Sequence, residues 1–84
     1  MNEVIEELKL IADMLYKNET SASYAKLANV IPLLAQSIGN VEDENIRNLL
    51  VEKLSFALSA MENNDNLLLA DTINNELIDV LNKI

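Results

Sequence analysis

One glycine and one proline in 84 residues leave this chain almost no means of reversing direction by tight turns, and that shortage restricts its fold more than any other feature. Hairpins draw on residues that accept positive φ, and a sheet protein needs such a turn every several residues. Gly39 and Pro32 cannot supply them, and the only aromatic residues, Tyr16, Tyr24 and Phe56, offer little of what strands favour. Apolar residues instead recur at spacings of three and four, the period of a helix that buries one face. An all-α fold follows.

Four segments carry that period. The first opens at Asn2, a candidate N-cap, and places Val4, Ile5, Leu8, Ile11, Ala12 and Leu15 on one face before stopping near Asn18. The second begins in the hydroxyl cluster Thr20–Ser23 and ends at Gly39–Asn40, read as a left-handed stop. Its stripe of Tyr24, Leu27, Ala28, Ile31, Leu34, Ala35 and Ile38 keeps phase across Pro32, so a kink is expected there rather than two helices. The third follows Glu42-Asp43-Glu44 and carries Ile46, Leu50, Leu54, Ala57, Leu58 and Met61, widened by Leu49, Phe56 and Ala60. So wide an arc must meet neighbours on more than one side. The fourth starts behind Asp65 and presents Ala70, Ile73, Leu77, Val80, Leu81 and Ile84.

Short linkers between helices of similar length make successive helices antiparallel, giving a single-domain up-down four-helix bundle, with a three-helix bundle as the alternative. Leu8, Ile11, Leu27, Ile31, Leu50, Leu54, Ile73 and Leu77 are the expected core.

The run Ala60-Met61-Glu62-Asn63-Asn64-Asp65, followed by Leu68-Leu69-Ala70-Asp71 and Glu76-Leu77, resembles the C-terminal part of small uncharacterised all-helical proteins of Gram-positive bacteria. Their pattern reads Ala-Leu-Glu, two variable residues, Asp-Tyr, an apolar residue, Leu-Leu-Ala-Asp and Glu-Tyr-Glu-Leu. Asn66 and Asn75 stand where it has tyrosines. The resemblance implies a helical fold in a bacterial protein and brings no activity with it.

Composition narrows the function. The net charge of −8, with Arg47 the single arginine, opposes binding to nucleic-acid phosphates or anionic lipid. The longest uncharged stretch, 27–41, is interrupted by polar residues and too short to span a bilayer. Acids near the start, where a signal peptide carries positive charge, point to the cytoplasm. Without histidine or cysteine, the commonest general base, the thiolate ligands and the His-assisted nucleophiles are missing. An EF-hand register from Asp65 to Glu76 fails, because Leu67 and Leu69 would occupy ligand positions and Ala70 the position of the turn glycine. The acids of 42–44, and Asp71 with Asp79, read as a helix start and a solvated face. No catalytic residue, metal ligand or cofactor is expected.

What remains is apolar surface. Leu10 with Met14, and Leu49 with Phe56, lie off the core stripes as pairs on one flank, with Lys53 between the latter two; Leu33, Leu68 and Ile78 are off-stripe singly. Paired flanking apolar residues are how a face made to meet another chain is written. The expected function is a non-enzymatic interaction module, either a homodimer or an adaptor or chaperone that receives a partner's helix. A small-molecule or metal-binding bundle is the alternative. In a homodimer built on helix three, Lys53 is expected to reach the rim or an acid of the second copy such as Glu52 or Glu42.

Overall fold

Helices form wherever the apolar period and the caps agree. A computed structural model describes residues 2–84, and among these it contains no strand. Helix α1 (Asn2–Tyr16) is followed by α2 (Thr20–Gly39) and α3 (Glu44–Glu62). The fourth rod, residues 66–81, consists of α4 (Asn66–Asp71), a π-helical turn (Thr72–Leu77) and α5 (Ile78–Leu81). Asn2, the candidate cap, is instead a helical residue of α1.

The caps explain where the later helices begin. The Asp43 carboxylate accepts from the backbone N–H groups of Asn45 (2.9 Å) and Ile46 (3.2 Å), and Asp65 accepts from Leu68 N–H (3.0 Å), satisfying donors that have no partner inside the helix. Helix α2 has no such cap: Glu19 holds the position without a side-chain bond, and the expected hydroxyls fall inside the helix, where Ser23 Oγ donates to the Thr20 carbonyl.

The stops differ from expectation in one respect. Asn18 (φ 60°) and Asn64 (φ 54°) adopt the left-handed conformation, with Glu19 N–H donating to the Met14 carbonyl and Asp65 N–H to the Ala60 carbonyl, both at 2.9 Å. This is the Schellman arrangement, and asparagine tolerates it because its short polar side chain suits left-handed backbone. Gly39 was the expected left-handed stop, but it ends α2 without positive φ and Asn40 follows in a right-handed conformation. Pro32 lies inside α2, which remains one helix.

These elements form an antiparallel up-down four-helix bundle. Helix α1 packs on α2 and on the fourth rod, the rod also packs on α3, and α2 meets α3 more sparsely. Hence α1 and α3 stand diagonally, joined through the rod between them. One end of the bundle is tied by Tyr24, whose hydroxyl donates to Asn66 Oδ1 (2.9 Å), and by Asn66 Nδ2, which donates to Thr20 Oγ1 (2.7 Å). Two of these residues open helices and Tyr24 lies one turn into α2, so the network fixes the angle between the first and third turns.

The core is built on Leu8, Ile11, Leu15, Leu34, Leu50, Leu69, Ile73, Leu77 and Leu81, all fully buried. Six of the eight expected core positions are buried; Ile31 and Leu54 are only half-buried. Both pack against the core from its margin, and α2 is rotated so that Ser23 and Val30 turn inward while Ala28 and Ala35 face out.

The fourth rod holds the main departure. A uniform 100° step per residue puts Ile84 on the core stripe and Ile78 off it. The structure reverses them: Ile78 is 4% exposed and Ile84 56%. The π turn is the cause, since a turn that takes an extra residue holds the chain beyond it back by about 100° relative to a continuous α-helix. That rotation swings Ile78 inward beside Leu77, while Ile84 lies past the end of α5 and is exposed there. Asn74 and Asn75, exposed and weak helix formers, sit where the wide turn needs them.

Two outcomes follow for stability, both measurable by chemical denaturation. Leu50→Ala should cost about 2–5 kcal/mol through the cavity it leaves, and Leu54→Ala about 1–2 kcal/mol because its side chain is already half in water. Deleting Asn75 removes the extra residue of the π turn and should leave stability within about 1 kcal/mol, whereas inserting an alanine between Asn74 and Asn75 should cost more than about 3 kcal/mol by turning Leu77 and Ile78 out of the core.

Candidate functional site

Helix α3 is the least covered of the long helices. Only Leu50, Ala57 and Ala60 are buried; Ile46, Leu54, Leu58 and Met61 are half-buried, and Leu49, Val51 and Phe56 are exposed. The wide apolar arc read from the sequence is therefore not absorbed by the bundle's own core.

A groove of about 300 Å³ runs between the second half of α3 and the fourth rod. Phe56 (54% exposed) forms one lip and Leu68 (52%) the other, with Ala60 and Thr72 on the floor. The two acids that line it are both occupied within the chain: Asp65 caps α4, and Glu76 Oε1 accepts from Lys53 Nζ at 2.8 Å. Lys53 Nζ also stands 5.9 Å from the centre of the Phe56 ring, within cation–π range, so the ammonium links the ring to the π turn. The groove thus sets two exposed apolar lips over polar walls, and of its two carboxylates Glu76 is balanced by Lys53 while Asp65 is engaged as a cap.

The candidate residues from the sequence divide into two places. Leu49, Lys53 and Phe56 share the outer flank of α3, with Leu68 facing them from the rod. Leu10, exposed, and Met14, half-buried, sit on α1, diagonal to α3, so the two pairs form separate patches. Ile78, read as off-stripe, is buried and leaves the set. In a dimer built on helix three Lys53 is expected to reach the rim or an acid of the second copy; within one chain it pairs with Glu76. That partner is 23 positions away and brought into reach only by α3 packing on the rod, so no local spacing announced it.

Elsewhere, among the described residues, no three His, Cys, Asp or Glu side chains converge as a metal site. No described helix is long and apolar enough to cross a membrane. Among the described residues a further cleft, of about 580 Å³, opens between the start of α1 and the end of α2. Tyr16, at the other end of α1, donates its hydroxyl to Asp71 Oδ1. No family model matches the chain, and neither the curated proteins nor the solved structures contain a match to it.

Two of these ties respond to alkali. The hydrogen bond to Asp71, reinforced by burial and by the carboxylate's charge, raises the Tyr16 pKa above its ordinary value. The Lys53 pKa is raised by its hydrogen bond to Glu76 and by that carboxylate's charge, against a smaller opposing cost of desolvation. In each case the folded state holds the proton more tightly than the unfolded chain does. Their stabilisation is therefore complete below about pH 10 and is lost as pH rises through the folded-state values. Thermal melts from neutral pH upward should show the wild type losing more stability above about pH 10 than a Tyr16→Phe/Lys53→Met double variant loses. Equal losses would show that neither tie persists in solution.

Proposed function

We propose that this chain is a non-catalytic protein–protein interaction module of the bacterial cytoplasm, and that its principal contact face is the groove between α3 and the fourth rod. The observation that carries the reading is the pair of half-exposed lips, Phe56 and Leu68, set across a groove whose two acids are already engaged. Apolar side chains of this size that are still half in water gain about 1 kcal/mol each when a partner buries the rest. Clusters of this kind mark association sites more often than isolated exposed residues do.

A second copy is the partner this face suits best. The same patch used twice across a twofold axis lays Phe56 and Leu49 of each copy against the other, while the Lys53–Glu76 pair adds no net charge to the contact. An amphipathic helix of another protein would meet the same lips in the same way. Both copies carry −8, so their long-range repulsion works against assembly and salt should relieve it.

The test is the mass of the full chain by sedimentation equilibrium, over a range of concentration and salt. The wild type should shift toward dimer with concentration and associate more tightly at higher salt, and Phe56→Asp should weaken association at least about tenfold by placing a charge in the apolar contact. A wild type that stays monomeric throughout, or a variant that associates as well, would leave the exposed arc of α3 without this role.

A further inference from the structure

We propose that the cleft between the start of α1 and the end of α2 docks a cationic amphipathic segment of a partner protein. The inference shares the interaction-module reading but uses a different face of the bundle.

The cleft of about 580 Å³ has an apolar floor and an acidic rim. Val4 and Val30 form the buried floor, Leu33 stands beside them at 55% exposure, and Glu3, Glu6 and Glu7 line the α1 side. A carboxylate in the first turn of a helix is explained by the macrodipole, which accounts for Glu3. It does not explain Glu6 and Glu7 a turn further on, nor a leucine left open beside them. Of the three, Glu6 alone has a cationic neighbour among the described residues, Lys9 at a loose 3.8 Å.

The combination continues round the end of the bundle. Ser37 also lines a second cleft, of about 480 Å³, whose apolar members are Val41, Ile46 and Ile84 and whose acids are Glu42 and Asp43. Of its two acids, Asp43 is engaged as the cap of α3, and Arg47, whose Nη1 donates to the Val41 carbonyl at 2.9 Å, places a positive charge nearby. The apolar floor with an acidic rim is therefore clearest on the α1 side of this end, at Glu3, Glu6 and Glu7.

Charge selects the occupant. A second copy would bring its own −8, and a twofold contact on this face would set one row of glutamates against another. Nucleic acid and anionic lipid are repelled for the same reason. A segment with an apolar side chain flanked at helical spacing by lysine or arginine satisfies both parts. The apolar residue enters between Val4, Val30 and Leu33, and the cations meet Glu3, Glu6 and Glu7.

Binding of the full chain to a fluorescent leucine–lysine amphipathic helix about four turns long, compared with a lysine–serine peptide of equal charge and length, tests this by anisotropy. The leucine–lysine peptide should bind more tightly than the lysine–serine peptide by about tenfold or more, and amide shifts should move chiefly at 3–7 and 30–37. Glu3→Gln/Glu7→Gln should weaken it about tenfold and the exposed Leu33→Ser about fivefold, while the control Glu52→Gln/Glu62→Gln on α3 changes it less than about twofold. Circular dichroism confirms that each variant is folded. Equal weakening by the control pair, equal binding of the lysine–serine peptide, or no binding would overturn the proposal. Phe56→Asp separates the two faces: it should leave peptide affinity unchanged, and if it abolishes binding the peptide occupies the α3 groove and the α1·α2 assignment is wrong.

Discussion

Everything in this bundle depends on the fourth rod seating itself between α1 and α3. Those two helices stand on a diagonal, and α2 meets α3 only sparsely, so the rod is what joins the two halves of the molecule. Leu69, Ile73, Leu77 and Leu81 are fully buried along it, each contributing about 1.5–3 kcal/mol of apolar burial. A domain of this size has a net stability of only about 5–10 kcal/mol, so few of these side chains can be lost before the fold goes with them. The Lys53–Glu76 and Tyr16–Asp71 bonds fasten the rod to each neighbour in turn, α3 on one side and α1 on the other.

That arrangement also decides what is left uncovered. A rod that fills the gap between α1 and α3 goes with close packing of α2 on α1 and a thin α2·α3 edge. Helix α3 then has more apolar arc than its two neighbours can cover. The excess gathers at Leu49 and Phe56, opposite Leu68, rather than spreading evenly round the molecule. The two clefts proposed as contact sites differ in kind. The α3 groove has one acid in a cap and one in an ion pair, whereas the α1·α2 cleft carries glutamates on its rim, so the proposed partners differ in charge.

The candidate site was legible in part. Leu49, Phe56 and Leu68 could be marked as surplus because a 100° projection of the sequence leaves them off the core face, and all three are exposed. The same projection failed for Ile78, because it assumes a uniform helical step and the π turn breaks that assumption. Glu76 as the partner of Lys53, and Leu68 as the facing lip to Phe56, could not be read at all, since both depend on which helix lies beside which. The acidic cleft had a trace in the sequence, glutamates at 3, 6 and 7 on one side of α1, but Leu33 joins them only through the antiparallel packing of α2.

By itself the sequence determined that this chain is helical, where its helices break, and which side of α1 faces inward. Those properties are local: they follow from the spacing of apolar residues, from Asp43 and Asp65 accepting backbone donors a few residues away, and from asparagines able to turn left-handed at 18 and 64. Tertiary structure alone decided the rotation of α2 toward Val30, the wide turn that brings Ile78 inward, and the acids with which Lys53 and Tyr16 pair. Each of these is settled by competition among four helices for one small interior. The side chains that win it are those whose burial together leaves the fewest voids, a condition on the whole bundle that no single segment expresses.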